Sequence, residues 1–255
     1  FLAVLHDDKW NIYVSSGLLG IGIGLAFSSL INLIVEAVRA RTPFGRVAVG
    51  GEQEPVPEAH HAPKLHADDH VQAAAVPMPS LTAWQGLFVH GRLESGQRVI
   101  VHGAAGGVGH LAVQLAARRD AYVIGTTSSS AGADMVRSME ANQVIDSASI
   151  FERGIDPVDL VFDTVGGDVL ARSSQLLRQG GRLVTIADEP PEGVDATYFV
   201  VEPDGEQLAK VGDLVDEGAL HPAIDSVFPL EEFRAAFERS MASGKRGKVV
   251  LRVIG

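Results

Sequence analysis

The stretch that most constrains this chain is Val99-Ile100-Val101-His102-Gly103-Ala104-Ala105-Gly106-Gly107-Val108-Gly109, where an apolar run breaks into glycines and resumes as a helical pattern to Arg118. Val108, Leu111, Ala112 and Leu115 recur at the spacing of one helix face, and Ala121-Tyr122-Val123-Ile124-Gly125-Thr126 follows as a second apolar run. Strand, glycine turn, helix and strand in that order make a βαβ unit, which implies a parallel sheet. Glycines let the backbone turn tightly and approach a diphosphate closely, while the amides and positive dipole end of the following helix receive its charge. The spacing alone is weak evidence, because the run is Gly103-x-x-Gly106-x-x-Gly109 and Ala104 stands where the usual G-x-G-x-x-G begins. Its flanking strand and helix make dinucleotide binding the leading reading, with a structural glycine turn in an α/β sheet as the alternative.

From Val71 onward apolar runs alternate with helical patterns, which predicts an α/β fold with a Rossmann-type, doubly wound parallel sheet. Strands are expected at 98–102, 121–126, 143–146, 158–163, 181–187, 198–201 and 248–253. Helices are expected near 80–92, 107–119, 131–139, 167–178, 205–217 and 230–243. Gly180-Gly181 reads as a helix stop. The domain reading is an apolar segment over 1–48, a linker over 49–70 and a nucleotide-binding domain with a C-terminal return strand over 71–255. Phe1 in place of an initiator Met reads as a fragment or processed product.

A formal net charge of −11 argues against a nucleic-acid partner, which needs a basic face to displace counterions. The chain has no cysteine, which excludes disulfides, thiolate catalysis and a Cys-built zinc site. His60, His61, His66 and His70 fall in the Pro- and Gly-broken linker at spacings that fit no helix-face or finger pattern, so no metal site is expected.

No charged residue lies between Trp10 and Val35, long enough for a membrane-spanning helix. Gly20 and Gly24 suit close helix contact, and Arg39, Arg41 and Arg46 follow while only Lys9 precedes. That bias places the C-terminal side, and with it the nucleotide-binding domain, in the cytoplasm, with membrane contact through residues 10–38. A buried, glycine-rich core helix is the alternative. Gly17-Leu18-Leu19-Gly20-Ile21-Gly22-Ile23-Gly24-Leu25-Ala26-Phe27, continuing through Ile34 to Val38, resembles a helix of a major facilitator superfamily transporter.

Further along, Leu81-Thr82-Ala83-Trp84-Gln85-Gly86-Leu87, the run Gly96 to Gly109, Asp159-Leu160-Val161-Phe162-Asp163-Thr164-Val165-Gly166-Gly167, Gly180-Gly181-Arg182-Leu183-Val184, Phe199 to Gly205 and Gly247-Lys248-Val249-Val250-Leu251 stand together. They resemble the zinc-independent quinone oxidoreductase branch of the medium-chain dehydrogenase/reductases from about residue 60 to the end. The resemblance implies an NADPH-dependent reductase that passes hydride to a quinone or an enone-type activated alkene, and pairing into a homodimer. It places Gly103, Ala104, Gly106, Gly107 and Val108 along the pyrophosphate and Gly109 at the helix–sheet contact. Thr126, Thr127 and Ser128 fall to the adenosine ribose, and Thr164, Val165, Gly166, Phe199, Val200 and Val201 to the nicotinamide side. The missing acid near Thr126 favours NADPH over NADH, because an Asp or Glu there would repel a 2′-phosphate. The lysine and tyrosine that the family often supplies to that phosphate match Asp134 and Ser147 here, leaving Arg137 as a substitute or a solvated surface charge. Trp84, Thr82, His102 and His110 lie nearby and read as buried structure rather than acid catalysts.

The family's barrel-like, GroES-like substrate domain has no counterpart in the sequence before residue 60. The leading expectation is therefore NADPH binding with little or no quinone reduction, a reductase crippled by loss of that domain or a non-catalytic fusion or truncation product; a working reductase is the competing reading, and a membrane-tethered nucleotide sensor ranks last. The return strand Val249 to Val253 is expected to lack its natural partners.

Overall fold

A computed structural model describes residues 33–37, 70–148, 154–190, 192–193 and 195–253. The elements in chain order are β1 (Leu33–Ala37), α1 (His70–Ala74), α2 (Pro77–Trp84) continuing into a π-helical turn (Gln85–His90), β2 (Arg98–His102), α3 (Gly109–Arg118), β3 (Tyr122–Thr127), α4 (Ser130–Ser138) and β4 (Gln143–Asp146). Then follow β5 (Val158–Asp163), α5 (Gly167–Ser173), β6 (Leu177–Thr185), β7 (Thr197–Tyr198), α6 (Gly205–Asp216), β8 (Ile224–Pro229), α7 (Phe233–Met241) and β9 (Lys248–Val253).

Six strands form one parallel sheet in the order β4-β3-β2-β5-β6-β7. The chain lays β3 and β4 on one side of β2 and then crosses to lay β5, β6 and β7 on the other, so the order reverses between β2 and β5. Ligands of such sheets bind outside the carboxyl ends at that switch point. Both central strands carry an apolar core, Val99-Ile100-Val101 and Leu160-Val161-Phe162, because helices cover both faces. Every residue of β5 is buried, as are Val99, Ile100 and Val101 of β2. Leu111, Ala112, Leu115 and Ala116 of α3 are buried in the same core. The expected α/β, doubly wound sheet is the fold observed.

A second sheet, all parallel, has the order β1-β9-β8. It corrects two expectations. β9 keeps two partners, pairing Leu33 to Ala37 against Val249 to Val253 on one side and β8 on the other. Leu33–Ala37 is a strand, so the membrane-helix reading of residues 10–38 and the transporter resemblance are not supported there; residues 10–32 and 38 lie outside the described residues. His70 is the first residue of α1, while His60, His61 and His66 and the rest of the expected linker lie outside the described residues. Among the described residues no helix is long and apolar enough to cross a membrane.

Two boundaries also differ. Helix α5 stops at Ser173, followed by a 3-10 turn at Ser174–Leu176, and β6 already runs through Gly180-Gly181. Gly180 has φ +77° and the β5–β6 register shifts between Val158 and Leu160, so the glycine pair accommodates a bulge within the strand instead of ending a helix. Strand β7 is confined to Thr197–Tyr198, leaving Phe199 to Val201 as the segment that leaves the sheet.

Candidate functional site

The turn after β2 owes its shape to its glycines. Gly103 has φ +71°, and a Cβ there would lie 2.5 Å from Thr164 Oγ1 and 3.0 Å from Val165 Cγ2. Gly109 packs its bare Cα against the Gly103 main chain and Ala104 Cα, so the first turn of α3 lies directly on the glycine turn. The Ala104 amide donates to Thr126 O at 2.9 Å and the Gly106 amide to Gly103 O at 2.8 Å. Among the described residues the amides of Gly107 and Val108 donate to no acceptor, although both residues are buried. The first amides of a helix have no intrahelical partner, and these two are free to take a ligand's oxygens.

The helix that follows has no side-chain cap, as α2, α5 and α7 have none, while two other helices do. Ser129 Oγ accepts the Gly132 amide at the start of α4, and Asp204 Oδ1 accepts the Gln207 amide at the start of α6. Val108 at the start of α3 offers no side-chain cap. What sets the start of α3 apart is the glycine turn before it, which lets an anion approach the helix amides at the carboxyl rim of the sheet. The site residues present fit a dinucleotide diphosphate: bare glycine backbone, open amides and no acidic side chain in the turn.

Beneath the turn, His102 is fully buried and forms the floor. Its Nε2 lies 3.1 Å from Ser173 Oγ and its Nδ1 3.1 Å from Thr126 Oγ1. Ser173 spends its own hydrogen on Val169 O, so His102 Nε2–H is the donor and Nδ1 accepts from Thr126. Burial, and secondarily the positive charge of Arg172, pushes its pKa down to about 3, and it stays neutral. His110 donates from Nδ1 to Gly106 O at 2.8 Å, and burial pushes its pKa down to about 4. Both histidines are structural pins, not acids poised near neutrality.

The adenosine-side residues divide. Thr126 is buried with its hydroxyl on His102, Thr127 is buried with its hydroxyl donating to Ser129 O at 3.3 Å, and Ser128 is exposed. Arg137 pairs with Asp134 at 2.9 Å on the exposed face of α4.

On the other half of the rim, Thr164 Oγ1 donates to His102 O at 2.8 Å, locking the end of β5 to the end of β2. Val165 is 50% exposed and Val200 60% exposed. Gly166 has φ +79°, and its amide and that of Val165 both donate to the buried Asp163 carboxylate. Burial raises the Asp163 pKa, against the opposing hydrogen bonds from Thr185, Gly166 and Val165. Phe199 is buried and Val201 half-buried.

Two contributors were not singled out in the sequence. Gln85 binds the main chain of Glu202, and Lys248 is a fully buried lysine next to Gly247, whose amide donates to Ala105 O at 2.9 Å. Burial, and secondarily Lys245, lowers the Lys248 pKa to about 7, and its charge acts on His110. The pair Gly247-Lys248 was legible as a motif; its nearness to the turn was not.

Residues 132–251 match the family model described as zinc-binding dehydrogenase. The chain is 33% identical to the quinone oxidoreductase from Coxiella burnetii, whose solved structure it matches with a TM-score of 0.67 over 73% of this chain and 62% of that one. Over this region the chain is similar to the zinc-binding dehydrogenase domain of the medium-chain dehydrogenase/reductases. The domain is also similar to a probable zinc-binding oxidoreductase, mitochondrial, of Arthroderma benhamiae, with 36% identity over 72% of this chain and 62% of the relative. An NADPH-dependent alkenal/one oxidoreductase, chloroplastic, of Arabidopsis thaliana is 31% identical over 86% of this chain and 56% of its own length. The chain therefore spans about three fifths of these curated relatives. Zinc stands in the description of the family model; among the described residues no cluster of three or more His, Cys, Asp or Glu is placed to hold a metal.

Proposed function

We propose that this domain binds NADPH and belongs to a zinc-independent reductase that passes hydride to a quinone or an activated alkene. The observation that carries the reading is the uncapped start of α3, with the Gly107 and Val108 amides open at the switch point between β2 and β5. The quinone and alkenal oxidoreductases among its relatives supply the acceptor class. The lack of cysteine supports the zinc-independent branch.

In this reading Gly103, Ala104, Gly106, Gly107 and Val108 hold the diphosphate, with Lys248 lending positive charge. Thr127 and Ser128 border the adenosine ribose, with Thr126 setting the turn from below. No carboxylate stands at the end of β3 to repel a 2′-phosphate. Arg137 can leave Asp134 for that phosphate at little cost, since both side chains are more than half exposed and such pairs contribute little. Thr164, Val165, Gly166 and the segment Phe199 to Val201 border the nicotinamide, where Val165 and Val200 offer an apolar wall that keeps water from the transfer. The cofactor supplies the hydride; the chain binds and orients it.

Calorimetric titration of the 255-residue chain with NADPH and with NADH tests this. Saturable NADPH binding, weaker NADH binding and loss of both in Gly106→Asp are expected. No saturable binding of either nucleotide overturns the site.

A further inference from the structure

The segment Phe199 to Val201 leaves the sheet with little of its own to hold it. The Phe199 amide donates to Thr185 O at 3.3 Å, and among the described residues Val200 and Val201 make no hydrogen bond. What fixes them lies on either side. Gln85 Oε1 accepts the Glu202 amide at 3.0 Å, and Gln85 Nε2 donates to Glu202 O at 2.8 Å, so one side chain satisfies both polar groups of a residue as a paired strand would. The same Nε2 donates to Gln207 Oε1 at 3.1 Å, tying in the first turn of α6. At the other flank the His90 ring lies on the Phe199 ring, centroids 4.4 Å apart and planes tilted by 31°.

Gln85 and His90 are the first and last residues of the π-helical turn. Five residues span about 140° around an α-helix, which would splay the two contacts. The wider i to i+5 winding brings them toward one face, and π-turns of this kind are often found at functional sites. The turn is seated by two glycines five apart: a Cβ on Gly86 would lie 2.6 Å from Phe162 Cζ, and one on Gly91 2.7 Å from Leu160 Cδ2. Both neighbours belong to β5, so the clamp is built on the central strand of the sheet.

We propose that the π-turn Gln85–His90 is a two-point clamp that positions Val200 and Val201 against the nicotinamide, with Gln85 and His90 as positioning residues that do not touch the reacting atoms. This rests on the reading that the segment borders the nicotinamide of bound NADPH. The clamp therefore governs the nicotinamide half of the cofactor and leaves the adenosine half alone.

The experiment compares NADPH with 2′-phospho-ADP-ribose, which keeps the diphosphate and adenosine but lacks nicotinamide, by calorimetry on the full chain. Gln85→Leu leaves the Glu202 amide and carbonyl unpaired, and His90→Ala removes the ring contact. Each is expected to weaken NADPH by about tenfold and the fragment by less than about twofold, with His90→Phe restoring the NADPH affinity. If Gln85→Leu does not fold, the His90→Ala and His90→Phe pair decides alone. Equal weakening of both ligands, or no change in their ratio, overturns the clamp, because a merely structural role would move them together. Wild-type protein that binds the fragment as tightly as NADPH also overturns it while keeping the dinucleotide site. Wild-type protein that binds neither overturns the cofactor reading itself.

Discussion

The Ala223 amide donates to His110 Nε2 at 3.0 Å, so the imidazole that holds the Gly106 carbonyl on one nitrogen holds the approach to β8 on the other. Only the neutral ring with its proton on Nδ1 makes both bonds. Burial lowers the pKa to about 4 for His110 and about 3 for His102, against 6.5 in an unfolded chain. As pH falls below about 6.5 the unfolded state takes up protons that the native state refuses, so stability is fully present above that pH and is lost on the way down to about 4 for His110 and about 3 for His102. Each histidine contributes a slope of up to about 1.4 kcal/mol per pH unit. Urea midpoints should fall between about pH 7 and about pH 5, before most carboxylates titrate. A midpoint flat across that window would show that the two rings are not held neutral.

Gly103→Ala faces two penalties, and a second glycine separates them. Gly103 and Gly96 have φ +71° and +78°, but only Gly103 has neighbours, with Thr164 Oγ1 2.5 Å from the added carbon, while nothing lies within 4 Å at Gly96. Gly96→Ala should cost the backbone strain alone, about 1–2 kcal/mol. Gly103→Ala should cost more and should also break the Thr164 bond to His102 O, lowering nucleotide affinity. Thermal melts of the two variants that coincide would contradict the close approach of β2 and β5 loops.

At Gly86 the constraint is packing rather than backbone angle. An Ala Cβ would press on the Phe162 ring, with Cζ at 2.6 Å, and overpacking of this kind costs about 1–3 kcal/mol. Phe162→Leu should itself be destabilising, yet the double variant should lose less than the sum of the two. Additive losses in chemical denaturation would mean that the ring and the glycine do not touch.

These residues also show what a sequence can and cannot disclose. The glycine turn, β2 and β5 were legible because close backbone approach demands glycine and two-sided burial demands apolar runs such as Val99-Ile100-Val101 and Leu160-Val161-Phe162. Strand β8 was not, because Asp225 and Ser226 interrupt it and its residues are only partly buried or exposed, which resembles a loop. β1 was hidden because an uncharged apolar stretch reads equally as helix or strand. The Gln85–Glu202 contact was out of reach for another reason: its partners are 117 residues apart, and no local pattern marks a glutamine for a distant main chain.

Strand β1 carries its own test, since β9 would become an edge without it. Removing residues 1–48 exposes the outer hydrogen-bonding row of β9, whose Val249, Val250 and Leu251 are all buried in the intact chain. An unprotected apolar edge invites pairing between copies. The truncated protein should show concentration-dependent association by light scattering where the full chain does not. A monodisperse truncated protein of unchanged melting temperature would show that β1 is dispensable to that sheet.

Lys248 links the site to pH from the other direction. Its pKa stands at about 7 because burial disfavours the ammonium, with Lys245 adding to the effect, so at about pH 8 it is largely neutral in the free protein. A diphosphate seated on the turn favours the charged form and raises that pKa, and binding then takes up a proton. The binding enthalpy of NADPH at about pH 8 should consequently differ between buffers of different ionisation enthalpy, with the slope giving uptake of up to one proton. Lys248→Met should abolish that slope and weaken NADPH and 2′-phospho-ADP-ribose alike, in contrast to the nicotinamide-selective effect expected at Gln85. A slope that survives the substitution would place the proton elsewhere and separate Lys248 from the diphosphate.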